Sequence, residues 1–124
     1  MAMTQSNRQK LGKWGEQAAA DYLTQLGYQM VSQNHRTPYG EIDIIAAHEG
    51  MMVFVEVKTR ASDSLGMPEI SITPRKVTHL IQSAEYYMQH HSEATGSWRI
   101  DVVTVQRRSS DPNPLITHFK NAIS

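Results

Sequence analysis

The stretch from Gly40 to Arg60, GEIDIIAAHEGMMVFVEVKTR, decides the fold. Two runs rich in β-branched residues, 41–47 and 51–59, flank the short polar segment His48-Glu49-Gly50. Runs of this kind on either side of a glycine-containing turn predict a β-hairpin. We therefore expect this hairpin to form the centre of a sheet.

Charged residues interrupt both apolar runs at alternate positions. Glu41 and Asp43 do so in the first run, and Glu56 and Lys58 in the second. Because successive side chains of a strand point to opposite faces, each charged set is expected on a single face. The residues expected on the opposite face are Ile42, Ile44, Val53, Val55 and Val57.

The hairpin register can be predicted from the turn. A two-residue turn at Glu49-Gly50 would place Asp43 directly across from Glu56, and Glu41 across from Lys58. Two carboxylates about 5 Å apart repel by roughly 3 kcal/mol at an effective dielectric constant near 20. Either the neighbouring bases neutralise the acids in a solvated ladder, or a divalent cation binds between them.

The rest of the chain predicts helices and strands around this hairpin. Apolar residues at spacings of three and four indicate helices, and alternating segments indicate strands. The predicted segments are a helix over 9–26, a strand over 28–34, a loop over 61–73, a helix beginning at Thr73-Pro74, a strand over 98–106 and a loose end over 107–114. The order αβββαβ places the last strand parallel to an earlier one in a mixed sheet. We expect one α/β domain over residues 1–124, with helices flanking the sheet.

Composition narrows the class of protein. The chain has 124 residues, no cysteine and a formal net charge of zero. The lack of cysteine excludes disulfide scaffolds, zinc-thiolate sites and thiol nucleophiles. The polar segment 1–13 and the lack of any apolar run of about 18 residues predict a cytoplasmic protein that does not enter a membrane.

The zero net charge does not exclude a nucleic-acid partner. There are 12 basic and 12 acidic residues. If four acids gather around a metal ion, the remaining surface has more bases than acids and can face a phosphate backbone. The four candidate acids are Glu16, Glu41, Asp43 and Glu56.

The motifs of this sequence resemble those of a known family. Gly40–Ile45 together with Val53–Arg60 resembles the YraN family of small bacterial proteins, which is considered part of the PD-(D/E)xK, or restriction-endonuclease-like, superfamily. Gly12–Ala19, Arg99–Val103 and His118–Ile123 extend the similarity over nearly the whole chain. The resemblance implies a restriction-endonuclease-like core, in which a mixed sheet is flanked by helices.

The resemblance also implies roles for individual residues. Asp43 and Glu56 correspond to the metal-binding acids of the superfamily, and Lys58 to its active-site lysine. Glu16 corresponds to the helix acid that faces the metal site in the related archaeal Holliday-junction resolvases. The sequence departs from the superfamily name at Ile42, which stands where that name has proline.

Other charged residues have two interpretations each. Glu41 either binds the metal or pairs with Lys58 and holds it in place. Arg60, Arg75 and Lys76 are candidate nucleic-acid contacts, because backbone N–H groups at a helix start also favour anions. The alternative for all three is a solvated basic face.

Several remaining polar and aromatic residues are expected to be structural. The six histidines do not have the spacing of a metal site, and surface positions are expected for them. Asp101 lies in a valine-rich strand and is predicted to be a hydrogen-bonded structural acid. Tyr86, Tyr87 and Trp98 can stack on bases, but core packing is the favoured prediction.

The sequence therefore predicts a Mg²⁺- or Mn²⁺-dependent endonuclease that hydrolyses DNA, branched or damaged DNA included. Water would attack the phosphorus, with the metal held by Asp43 and Glu56, helped by Glu16 or Glu41, and with Lys58 assisting. The alternatives are a non-catalytic nucleic-acid-binding module with the same fold, and an adaptor whose sheet binds protein. Whether the chain forms a homodimer is left open by the sequence.

Overall fold

The computed structural model describes residues 6–63, 70–91 and 93–123. The elements are α1 (Asn7–Gln25), β1 (Gln29–Thr37), β2 (Gly40–His48), β3 (Met51–Ala61), α2 (Pro74–His90), β4 (Trp98–Arg108) and β5 (Asp111–Ile123). The five strands form one mixed sheet in the order β1-β2-β3-β4-β5. The predicted α/β class is confirmed, and one further strand follows the predicted αβββαβ order.

The β2–β3 hairpin has the predicted turn and register. Glu49 and Gly50 have φ angles of 50° and 76°, as a two-residue turn with the twist of the flanking strands requires. Pairing runs from His48 opposite Met51 to Ile44 opposite Val55. The turn residues thus align the two strands as the sequence predicts.

The hairpin ladder opens at Asp43. The last backbone pair between β2 and β3 is Ile44 with Val55, so the predicted direct pairs of Asp43 with Glu56 and of Glu41 with Lys58 are not part of the ladder. Instead, the Val57 N–H donates to Asp43 Oδ2 at 2.8 Å. The Asp43 carboxylate therefore replaces a backbone carbonyl where the two strands separate.

The predicted alternation of β2 is wrong on one point. Ile44 packs with Val53 and Val55, whereas Ile42 packs with Ile45 and Phe54 in the core on the other face of the sheet. Ile42 and Ile44 therefore do not share a face. The change coincides with the end of the β2–β3 ladder, where β2 pairs with β1 alone and is less constrained in its twist.

The parallel pairing of β4 with β3 is confirmed. It extends from Met52 opposite Trp98 to Ala61 opposite Arg107, and α2 lies on the connection between the two strands. A crossover of this length is what a parallel neighbour requires. Because this pairing is continuous, β3 is held firmly on its β4 side while it separates from β2.

The predicted loose end over 107–114 is wrong. Arg108 pairs with Asp111 across a tight turn, and β5 then runs antiparallel to β4. Pro112 and Pro114 concealed this strand in the sequence, since proline removes a backbone donor. An edge strand tolerates proline because only one of its sides pairs.

Helices α1 and α2 cover opposite faces of the sheet. Ala19 and Leu23 of α1 pack on the valines of β3, and Leu80 and Ala84 of α2 pack near Phe54. Gly15 allows α1 to approach closely, because a Cβ atom there would collide with the side chain of Thr59. This contact brings the next residue, Glu16, to the end of the sheet where β2 and β3 separate.

The start of α2 is the one that the sequence predicts. Thr73 is the N-cap, and its hydroxyl accepts from the Lys76 N–H at 3.2 Å, with Pro74 in the first turn. This cap fixes the position of Lys76 above the sheet. In the described part of the chain, neither helix is long and apolar enough to cross a membrane.

Candidate functional site

Asp43 and Glu56 lie where β2 and β3 separate, and both carboxyl groups are largely withdrawn from water. Only 6% of the Glu56 surface is exposed. Burial disfavours the charged form of a carboxyl group, and a second negative charge nearby disfavours it further. The site therefore combines two acids in an environment that penalises their ionisation.

The Glu56 carboxyl group shows this penalty most clearly. Burial, together with the negative charge of Asp43, raises the pKa of Glu56 to about 7. Its Oε2 atom is buried and has no hydrogen-bond partner, and the nearest cation, Lys76 Nζ, lies 3.7 Å away. That distance is too long for a hydrogen bond. Glu56 thus presents an acceptor atom that the protein itself does not satisfy.

Asp43 is in a similar position but is better supported. Burial raises the pKa of Asp43, although the hydrogen bond from the Val57 N–H and the charges of Lys76 and Lys58 oppose this shift. The bond to Val57 uses one oxygen and fixes the orientation of the carboxylate. The remaining lone pairs of Asp43 are available to a ligand.

Two lysines face the acids. Lys58, on β3, and Lys76, in the first turn of α2, both lower the cost of ionising Glu56 and Asp43. The sequence predicts Lys58 at the site but predicts Lys76 only as a nucleic-acid contact. The structure pairs Lys76 with Glu56, a contact between residues 20 positions apart that no local pattern indicates.

Glu16 and Glu41 adjoin the site and are held by Asn34. In the orientation that satisfies its neighbours, the Asn34 side-chain nitrogen donates to Glu41 Oε1 at 2.9 Å and to Glu16 Oε2 at 3.0 Å. Burial and the charge of Asp43 raise the pKa of Glu16. Asn34 thus links α1 to β2 and brings the helix acid close to Asp43.

Glu41 does not form the predicted pair with Lys58. Its ion-pair partner is Arg36, at 4.0 Å and well exposed to solvent. In the ranges that the structure describes, no ion pair joins Glu41 and Lys58. Lys58 is therefore left to face Asp43 and Glu56, which are its electrostatic partners at the site.

The acids at this site suit a small divalent cation only as a pair. Among the described residues, no three histidine or acidic side chains are grouped closely enough to hold a metal ion by themselves. Mg²⁺ commonly takes one or two carboxylates and completes its shell with water and substrate oxygens. Asp43 and Glu56, with the unsatisfied Oε2 atom, fit that requirement.

Comparison with known proteins places the chain in a family. Residues 15–105 match the family model described as "Uncharacterised protein family UPF0102". The chain belongs to the UPF0102 family. This confirms the predicted resemblance to the YraN family, which is the same family.

Relatives in the UPF0102 family align over most of their length. A UPF0102 protein of Dehalococcoides mccartyi is 43% identical over 94% of this chain and 95% of its own. One from Desulfosudis oleivorans is 44% identical over 85% of each chain, and one from Syntrophotalea carbinolica is 38% identical over 93% of this chain and 92% of its own. These names state the family and no activity.

The two remaining basic candidates of this UPF0102 chain lie outside the acid site. Arg60 and Arg75 are exposed, and no ion pair involves either of them in the part of the chain that the structure describes. Arg60 follows Lys58 on the same face of β3, and Arg75 precedes Lys76 in α2. Both are therefore free to meet a ligand that approaches the acids.

Asn34 and Lys76 are the functional candidates that sequence analysis missed or misassigned. Asn34 has a φ angle of 52°, a left-handed conformation that asparagine tolerates better than most residues. The asparagine inside an otherwise regular strand is the sequence feature that indicates a left-handed backbone at this position. The contact of Lys76 with Glu56 had no such signal, because it depends on how α2 crosses the sheet.

Proposed function

We propose that this chain is a metal-dependent phosphodiester hydrolase that cleaves DNA, branched or damaged DNA included. One observation carries the proposal: Glu56 is buried beside a half-buried Asp43, the pKa values of both acids are raised, and two lysines face them. A folded protein gains nothing from this arrangement by itself, since burial of two like charges costs free energy. The arrangement is explained if the acids serve a cationic ligand.

The proposed ligand is Mg²⁺ or Mn²⁺, held by Asp43 and Glu56. Both ions prefer carboxylate and water oxygens to nitrogen or sulfur ligands. When bound, such an ion polarises a phosphoryl oxygen and makes water more nucleophilic. Asn34 holds Glu16 and Glu41 next to this pair, and the two outer acids are proposed to assist the cation rather than to bind it alone.

The lysines have separate roles in the proposed reaction. Lys58 shares β3 with Glu56 and is proposed to orient the attacking water and to stabilise the negative charge that develops on the phosphate. Lys76 is proposed to neutralise Glu56 in the absence of the cation, because it is the base nearest to the unsatisfied oxygen. With a cation held by Asp43 and Glu56, Lys76 would be available to contact the substrate phosphate.

DNA is proposed as the substrate because the two elements that supply the lysines of the site also carry exposed arginines. Arg60 and Arg75 are solvent-accessible and lie on the two elements that carry Lys58 and Lys76. Arginine and lysine contacts to phosphate position a duplex without reading its sequence. The proposal therefore expects binding to be strongly salt-dependent and largely independent of base sequence.

Cleavage assays test this function directly. Linear, nicked and four-way-junction DNA are incubated with the protein in Mg²⁺ or Mn²⁺, and the products are resolved on gels. We expect cleavage of at least one substrate, and a loss of about 100-fold in rate for Lys58→Ala. Lys120→Ala, which removes an exposed lysine of β5, is the matched control and should cut like the parent.

Three results would refute the proposal or replace it. No cleavage of any substrate with either metal, while DNA still binds, would favour a non-catalytic nucleic-acid-binding module. Equal cleavage by Lys58→Ala and the parent would remove the lysine from the mechanism. If calorimetry shows no Mn²⁺ uptake, and Asp43→Asn changes nothing, a protein adaptor becomes the better explanation.

A further inference from the structure

A small cleft lies on the surface between the β1–β2 turn and α2. It encloses about 130 Å³ and is lined by Tyr39, Gln82, Glu85, Tyr86 and Gln89. The ring of Tyr39 forms one wall, and 43% of this residue is exposed. None of the five residues belongs to the acid site described above.

The cleft is attached to the same elements as the acid site. Tyr39 lies two residues before Glu41, and its N–H donates to Thr37 Oγ1 at 3.1 Å. Thr37 Oγ1 in turn lies 2.9 Å from Ser83 Oγ, which fixes the turn to α2. Because α2 also carries Lys76, the distance and orientation between the cleft and the acids are fixed by this helix.

Aromatic rings give the cleft a flat, ordered wall. Tyr39 meets Tyr86 edge to face, with ring centroids 6.2 Å apart, and Tyr86 stacks on His90 at 3.9 Å. His90 is itself held by a hydrogen bond between its Nδ1 and the Tyr86 carbonyl oxygen at 2.8 Å. One face of Tyr86 is therefore occupied by His90, while Tyr39 is left to stack on an incoming planar group.

Size and polarity of the cleft match a single heterocyclic ring. A cavity of about 150 Å³ holds benzene, so 130 Å³ admits a group of roughly that size. The amides of Gln82 and Gln89 supply donors and acceptors, and Glu85 accepts from amino groups. These are the side chains that pair with the edges of nucleobases. The negative charge of Glu85 disfavours a phosphate in the same place.

We propose that the cleft binds one unpaired nucleobase of the nucleic acid whose backbone reaches the acid site. This inference rests on the proposed function and specifies its substrate: DNA with an unpaired base within a few nucleotides of the scissile phosphate. Arg75 and Lys76 lie in the first turn of the same helix, about 15 Å along its axis from Tyr86, so they would contact backbone phosphates a few nucleotides from the bound base. A base paired and stacked in a duplex cannot enter, so single-stranded segments bind more tightly.

Oligonucleotide binding in EDTA tests the inference without requiring cleavage. Fluorescence anisotropy compares a labelled strand of roughly 12 nucleotides with the duplex of the same sequence. The parent should bind the single strand more tightly. Tyr39→Ala should weaken single-strand binding by about tenfold, since loss of one stacking partner has an effect of this size. Tyr86→Ala removes the ring that Tyr39 meets edge to face and should weaken binding in the same direction.

Matched variants separate stacking from folding. Tyr39→Phe keeps the ring and should bind the single strand like the parent. Tyr39→Leu keeps apolar bulk without a flat ring and should bind the single strand more weakly. Leu26→Ala removes an exposed apolar side chain at the end of α1, away from the cleft, and should have no effect. Thermal melting of each variant shows that the fold is retained.

The outcomes distinguish this inference from the proposed function. No preference of the parent for single strands, or equal losses for single strand and duplex in Tyr39→Ala, would overturn the nucleobase cleft. A protein ligand in the cleft predicts the same lack of effect on oligonucleotides and would overturn it too. Tyrosine-dependent binding without any metal-dependent cleavage would instead refute the proposed hydrolase and leave the cleft supported.

Discussion

Asp101 and Glu56 are both buried carboxylates on neighbouring central strands, but their surroundings are opposite. Asp101 is fully buried on the face covered by α1. It accepts hydrogen bonds from Arg99 Nε at 2.9 Å, from His118 Nε2 at 2.8 Å and from the Asn121 N–H at 2.8 Å. Burial would raise the pKa of Asp101, yet these donors lower it below its ordinary value.

The burial of Glu56 is compensated only in part, because the charges of Lys76 and Lys58 lower its pKa less than burial and the charge of Asp43 raise it. Its pKa is raised to about 7, and one of its oxygens has no hydrogen bond. A buried polar group is usually satisfied by the protein, so an unsatisfied one needs a separate explanation. The comparison teaches that burial alone does not identify a functional acid. The partners decide: three donors stabilise the charged form of Asp101, whereas Glu56 keeps one oxygen without a hydrogen bond.

Removal of Asp101 is expected to have the largest effect on stability. Asp101→Ala leaves Arg99 and His118 without their acceptor, and loss of one partner of a buried charge network costs about 3–5 kcal/mol. Urea unfolding measures the change in the free energy of unfolding. Asp21→Ala on the exposed face of α1 is the control. A loss below about 1 kcal/mol, which is typical of surface positions, would contradict the structural role.

Removal of the Glu56 charge should act in the opposite direction. In EDTA at about pH 8, Glu56→Gln should raise the free energy of unfolding by roughly 3 kcal/mol, because the charged form is the one that burial penalises. Urea unfolding again provides the measurement, and the exposed Glu49→Gln is the matched control. A clear loss of stability would show that the contact with Lys76 is a net stabilising salt bridge.

The two acids should also make the free energy of unfolding depend on pH in opposite directions. The folded pKa of Glu56, about 7, lies above the ordinary value of 4.5, so stability in EDTA should fall as the pH rises from 4.5 to 7. The folded pKa of Asp101 lies below 3.8, so its contribution should be lost only as the pH falls below that value. Unfolding curves of the parent and Glu56→Gln across this range provide the test. A constant difference between the two proteins would contradict the assignment to Glu56.

The smallest expected effect concerns Asn34, which positions Glu16 and Glu41. Asn34→Gly keeps the left-handed backbone at little steric cost and removes only the side-chain amide. If the amide aligns the outer acids of a cation site, Mn²⁺ affinity measured by calorimetry should fall about tenfold. Asn121→Gly is the matched control, because Asn121 has a φ angle of 50° but uses only its backbone N–H in the Asp101 network. Equal affinities for both variants would leave Asn34 with a purely local structural role.

The sequence predicted the centre of the fold well because local chemistry specifies it. Glu49-Gly50 sets the turn of the hairpin, and valines at alternate positions set the face that α1 covers. Thr73-Pro74 likewise fixes the start of α2. In each case, the residues that determine the structure are neighbours in the chain.

The errors arose where distant segments decide the outcome. His118 was expected at the surface, but its side chain is only 5% exposed, because β5 places it against Asp101 of β4. The prediction of Asp101 as a hydrogen-bonded structural acid is confirmed. Tyr86 was expected in the core, whereas it lies partly exposed against Tyr39 of the β1–β2 turn. None of these contacts follows a helical or strand period.

The sequence by itself determined the α/β class, the hairpin register and the UPF0102 membership, because turn chemistry, alternation and ordered motifs are local properties of the chain. Only the tertiary structure decided that the ladder opens at Asp43, that Lys76 meets Glu56 and that Asn34 holds Glu16. Those contacts depend on how α1 and α2 pack on the sheet. The partners of a buried charge come from distant parts of the chain, so its electrostatic state is fixed only when the chain has folded.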